Sequence, residues 1–248
     1  MSDSDLEPEP SIVLGIPGKW KDHSEIVTSI ARNSGGYLFA GGILMHIDSK
    51  TSFELDIYDH DPELAEKVRW GGLGQIPEED LAALEDHTFT LYLVSFETGR
   101  EVVERMMDAA VALLDAGGLV VKIESAGFSV GATKWREHAS VKAPYSLQRA
   151  MVTLVGEERE YFTCGMRAFG LPDCMILDSD LDTAFEASIE FCCYMIDEAP
   201  KLAEGHLVKL TESPTKYRLA FEDYTHYPPD DHFHNPHGQW VLEPLKED

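Results

Sequence analysis

Basic residues are scarce in this 248-residue chain: 20 Lys and Arg stand against 45 Asp and Glu, a formal net charge of −25. No Lys/Arg cluster forms a stripe that could track a phosphate backbone. Nucleic acid is therefore excluded as a partner, and the field that remains would attract a basic protein. Long apolar runs are missing too, with none approaching the roughly 18 residues of a helical membrane span, so no membrane association is expected. The opening MSDSDLEPEP lacks the basic and then apolar pattern of a secretory signal, and residues 1–10 read as a disordered acidic leader of a cytoplasmic protein. Cysteine occurs four times, at Cys164, Cys174, Cys192 and Cys193, never with the C-x-x-C spacing of a zinc ribbon or thioredoxin-like site. The thiols are assigned to packing.

What is present is a chain 44% hydrophobic, enough to bury a substantial core. SIVLGI (Ser11 to Ile16) predicts a first strand and the Asp22–Glu25 capping spacing a helix after it. YLFAGGILMHI and SFELDIY then predict two strands joined at Asp48-Ser49-Lys50. Residues 60–86 read as an acidic insertion with two short helical pieces. TFTLYLVSF, a long helix with Val103, Met106, Met107, Ala110, Val111 and Leu114 on its buried stripe, and LVVKIE follow. Beyond them, strands are expected at LQRAMVTLVG, REYFTCGM, HLVKL, YRLAF and WVLEP, with turns at Glu157-Glu158 and Glu212-Ser213-Pro214. A helix from Asp180 to Glu198 should bury Leu181, Phe185, Ile189, Cys192 and Ile196. This order predicts an α+β fold of mostly antiparallel sheets with helices packed on one side, compatible with two ferredoxin-like halves. The halves are placed at 11–140, containing the 60–86 insertion, and at 145–248, packed on the first.

Three motifs come close to known chemistry. GFSVG (Gly127 to Gly131) matches the G-x-S-x-G nucleophile elbow, with Asp178 and His206 or His237 following in triad order, although an ordinary glycine-flanked loop fits the surrounding pattern better. GIPGKW (Gly15 to Trp20) sits where a phosphate loop belongs, but it has two residues between its glycines rather than four and Trp20 where a hydroxyl is needed. YPPDDHFHNPHGQW, with His226 before it, gathers four of the ten histidines. His232 and His234 would share one side of a strand, and His237 or Asp231 could complete a ligand set. Its Asn235-Pro236 and His237-Gly238 turn dipeptides favour a structured loop. No motif implies a cofactor, and no feature sets an oligomeric state.

GGYLFAGGILM, the strand-helix-strand TFTLYLVSFETGREVVERMMDAAVALLDAGGLVVKIESAGFS with KW beyond it, and TCGMRAFGLPDCMI together resemble the bacterial proteins grouped as domain of unknown function 4261. Gly165, Gly170, Leu171, Pro172 and Asp173 fit the turn of that group. The resemblance spans residues 37–180 and brings no reaction; it implies a setting near toxins and secretion systems. The functional expectation is a protein that binds a basic partner, most concretely an immunity protein that covers a toxin's active site. The charges expected to do so are Asp59, Asp61, Glu63, Glu66, Glu78, Glu79 and Asp80, with Glu85 and Asp86 beyond them. The alternatives are a hydrolase using Ser129 with a later histidine, a metal-assisted enzyme using His232, His234 and His237, and a structural domain of an oligomer.

Overall fold

The computed structural model describes residues 9–157, 159–211, 215–224 and 226–245. Residues 1–8 of the acidic leader, Glu158 and the Glu212-Ser213-Pro214 turn lie outside the described residues. The protein is α+β, with two mostly antiparallel sheets. It divides into two units: one runs to Thr98 and resumes at Arg105–Ala132, and the other combines Gly99–Glu104 with the chain from Thr133 onward.

The first unit is built from β1 (Ile12–Gly18), α1 (His23–Asn33), β2 (Tyr37–Ala40), β3 (Ile43–His46) and β4 (Ser52–Asp59). It continues through α2 (Leu64–Gly71), α3 (Glu78–Glu85), β5 (Phe89–Ser95), α4 (Arg100–Asp115), β6 (Val120–Ile123) and β7 (Phe128–Gly131), the first turn of α4 clustering with the other unit. Its sheet runs β2-β3-β4-β5-β1-β6-β7, antiparallel throughout. With α1 and α4, the four strands β4-β5-β1-β6 make the β-α-β-β-α-β unit of a ferredoxin-like fold. The β2–β3 hairpin widens one side, β7 the other, and α2–α3 is inserted before β5.

Local chemistry explains the elements. Asp22 caps α1 by accepting from the Glu25 amide at 3.0 Å, while Glu25 accepts from the Lys21 amide at 2.5 Å, so side chains satisfy backbone donors on both sides of the cap. One long strand was expected from YLFAGGILMHI; it is instead two, because Gly41 and Gly42 both take positive φ (59° and 79°) and close a two-residue hairpin. Ile12, Leu14 and Ile16 alternate onto one face of β1 and are fully buried. Across that face Leu14 pairs with Leu93 and Ile123, giving a continuous apolar layer.

The second unit contains α5 (Ala132–Val141), α6 (Pro144–Met151), β8 (Thr153–Glu157), β9 (Glu160–Cys164) and β10 (Asp173–Ile176). After these come α7 (Leu181–Glu198), β11 (Leu207–Lys209), β12 (Lys216–Glu222) and β13 (Gln239–Pro244). Two meanders meet at a parallel pair, in the order β11-β12-β13-β10-β9-β8, so its topology differs from that of the first unit. Two expectations change here. LQRAM, expected to begin a strand, ends α6, whose Leu147, Ala150 and Met151 are buried. The core side of α7 is rotated from the expected stripe: Ala184, Ala187, Ser188, Phe191, Cys192, Met195 and Ile196 are buried, whereas Leu181 and Phe185 are exposed. Small side chains let the helix approach its sheet closely, and Phe185 instead lies under the Arg149 guanidinium, 5.1 Å from the ring centre.

Candidate functional site

The acidic insertion is a helical arm. Leu64, Val68, Ile76, Leu81 and Leu84 form its apolar interior together with Val120 of β6, which fixes the arm over one end of the first sheet. Three of the seven expected partner-binding carboxylates are engaged within the arm. Lys67 Nζ lies 3.0 Å from Asp61 and 3.1 Å from Glu63, and Arg69 makes a two-pronged bond to Glu78 at 2.8 and 2.7 Å, tying α2 to the start of α3. Arg69 accordingly holds the Glu78 carboxyl below its ordinary pKa; at Asp61 partial burial acts upward but the Glu63 amide and Lys67 outweigh it. Asp59, Glu66, Glu79 and Asp80 make no ion pair among the described residues. At the end of α2 Trp70 is 75% exposed, and in the connection to α3 Leu73 is 64% exposed, which charge counting did not anticipate.

The same face of the sheet continues beyond the arm. The register sets Asp56, Tyr92, Gly15, Lys122 and Ser129 side by side across five strands. Glycine is required in the middle of this row: a Cβ at Gly15 would come within 3.2 Å of both the Glu124 carboxylate and the Tyr92 ring, so its absence lets these two groups converge. Lys122 is ion-paired to Glu124. Burial, then the Glu124 and Asp61 carboxylates, push the Tyr92 hydroxyl up to about 12, and its ring meets Tyr58 edge-on at 5.1 Å. The surface is acidic, aromatic and supported by ordered strands.

Ser129 is no elbow. The expected glycine-flanked loop is the interior of β7, opposite Lys122, followed directly by α5. Its side chain is buried and its Oγ has no hydrogen-bond partner. Asp178, His206 and His237 belong to the second unit. GIPGKW completes β1 rather than opening a helix: Gly18 ends the strand, and buried Trp20 donates its indole N–H to Ala116 at 2.9 Å.

In the second unit the histidine-rich segment covers the sheet face opposite α7. Phe162 projects to that face and stacks on His226 at 3.8 Å, with Tyr224, Tyr227, Phe233 and His234 around them. Arg167 holds the segment by donating to the His234 carbonyl at 3.1 Å, and His234 Nδ1 engages the Tyr227 carbonyl. Among the described residues, no group of three or more His, Cys, Asp or Glu is arranged to hold a metal ion. The ring of His232 is 3.9 Å from Asp231, and burial and Arg167 lower the pKa of His237. His226 Nε2 and Gln239 Oε1 are neighbours that complete no hydrogen bond of ordinary geometry.

Beneath this cover lies Asp173, which was noted only as a turn residue. It accepts from Thr163 at 2.9 Å, from the Asn235 amide at 2.6 Å and from the Met166 N–H at 3.3 Å. Complete burial nevertheless pushes its carboxyl up to about 7. Cys174 and Cys192 lie 3.9 Å apart between β10 and α7, and this contact together with burial raises the Cys192 thiol. No family model matches this chain, and neither does any curated protein or solved structure.

Proposed function

We propose that the protein is a binding module for a basic protein, engaging it through the α2–α3 arm. The observation that carries this reading is Trp70, 75% exposed in the last turn of the helix that carries Glu66, followed by exposed Leu73 in the connection to the helix that carries Glu79 and Asp80. An exposed Trp on a helix that also carries charge supplies an apolar anchor for a contact, and the carboxylates supply steering and selection of partner sign. The Arg69–Glu78 and Lys67–Asp61 bonds favour this role because they hold the arm in one shape before binding. With the likeness to domain of unknown function 4261, the specific form of the proposal is an immunity protein that neutralises a toxin by covering its basic active-site cleft.

The test begins with capture of the native partner and its identification by mass spectrometry. Association rates are then compared across salt concentrations for wild type and a Glu66→Gln, Glu79→Gln, Asp80→Asn variant that leaves the internal ion pairs intact. The variant is expected to associate several-fold more slowly at low salt, with the gap closing at high salt, while Trp70→Ala mainly speeds dissociation. An acidic partner, or binding indifferent to salt and to Trp70, overturns the proposal.

A further inference from the structure

The open face of the first sheet extends from the arm across β5 and β4 to the β2–β3 hairpin, and its character changes on the way. Next to the arm it carries Tyr92, Tyr58, Asp56 and Glu124; at the far end Leu38, Ile43 and Met45 project from the same face and are each exposed, with Glu54 directly opposite Ile43. These apolar side chains occupy the side of β2–β3 away from Tyr37, Leu44 and Phe53, which are buried. β2 is also the terminal strand of the sheet, and the Ser34 hydroxyl engages both the N–H and the carbonyl of its first residue, Tyr37.

Building on the proposed function, we infer that this face receives an extended segment of the basic partner that combines apolar and arginine side chains. The apolar residues would lie on Leu38, Ile43 and Met45. A guanidinium would rest against the Tyr58–Tyr92 pair within reach of Asp56 and Glu124, where ring faces and carboxylates both favour a cation. Charge decides the occupant. Glu54 and Asp56 are exposed, Lys122 is already paired with Glu124, and a second copy of a chain of net charge −25 would bring more negative charge to this face. The face is continuous with the arm because α2–α3 packs on the same side of the sheet, at Val120.

The experiment uses a capped hexapeptide alternating arginine with leucine or valine, and the same peptide with citrulline, the uncharged isostere, in place of arginine. Backbone amide shifts of the full chain are followed by NMR. The arginine peptide is expected to perturb β2 to β5, and the citrulline peptide to bind at least tenfold more weakly. Combined Glu54→Gln and Asp56→Asn substitution should cost the arginine peptide a similar factor, with Tyr58→Ala as an independent variant. Shifts confined to α2–α3 overturn this inference while leaving the arm's role intact. Equal binding of the two peptides, or no binding of the arginine peptide, also overturns it. Failure of the arm itself is read separately, from the partner kinetics of the Trp70 and triple-carboxylate variants.

Discussion

Asp173 and Ser129 are both buried polar side chains, and they differ in whether the surrounding residues satisfy them. The carboxyl of Asp173 has a folded pKa of about 7 against an ordinary 3.8, so the folded state binds its proton more tightly than the unfolded chain does. Its contribution to stability is therefore greatest in acid and is lost as pH rises from about 4 to about 7. The local slope is at most about 1.4 kcal/mol per pH unit. His87, His138, His226 and His237 have lowered pKa values and act with the opposite sign, so the useful quantity is a difference. Chemical denaturation of wild type and Asp173→Asn should show the wild-type advantage growing as pH falls from 7.5 to about 5; a constant difference would mean that Asp173 stays ionised. Ser129 presents the simpler case. Its hydroxyl is buried without a partner, so Ser129→Ala removes a desolvation cost and should raise stability by up to about 1 kcal/mol. A loss of that size would show that the hydroxyl is engaged after all.

Elements were legible in the sequence wherever one local signal sufficed. The first strand over SIVLGI and the two short helices of the acidic insertion needed only apolar period, and the helix after Asp22 added its cap. Elements were misread where two signals competed. Gly41-Gly42 was absorbed into an apolar run although paired glycines are a hairpin signature, and the GFSVG motif drew attention away from the plain alternation that makes β7 a strand. The α7 stripe rests on apolar steps of three or four; Cys192 and Ile196 on it are buried, whereas the first turns bury Ala184, Ala187 and Ser188 instead of Leu181 and Phe185. The candidate surface was half visible. Its charges could be counted, but the row of Asp56, Tyr92, Gly15, Lys122 and Ser129 comes from strands distant in sequence, and only the sheet order β4-β5-β1-β6-β7 brings it together. The histidine cluster misleads for a related reason: the sequence brings the rings together, but their neighbours in the fold are Phe162, Arg167 and backbone carbonyls rather than one another.

At the scale of the whole molecule, charge is the dominant quantity, and it works against the folded state as well as toward a partner. A net charge of −25 concentrates repulsion when the chain folds, and the exposed ion pairs, such as Lys67–Glu63 and Lys134–Glu137, return little because solvent screens them. Screening should relieve the repulsion more than it weakens these pairs, because the repulsion acts over many distant charges while the pairs are in contact. The screening length falls from about 30 Å at 0.01 M salt to about 8 Å at 0.15 M. Thermal unfolding should therefore move upward by several degrees between 0.01 and 0.15 M sodium chloride and then level off. With two units, each transition is read by itself, in Trp→Phe variants that keep only Trp20 for the first or only Trp135 for the second. The first should gain more: it carries the arm, where Glu66, Glu79 and Asp80 make no ion pair among the described residues. A midpoint that falls with salt would show instead that the ion pairs outweigh the repulsion, and that the acidity is balanced locally rather than held available for a partner.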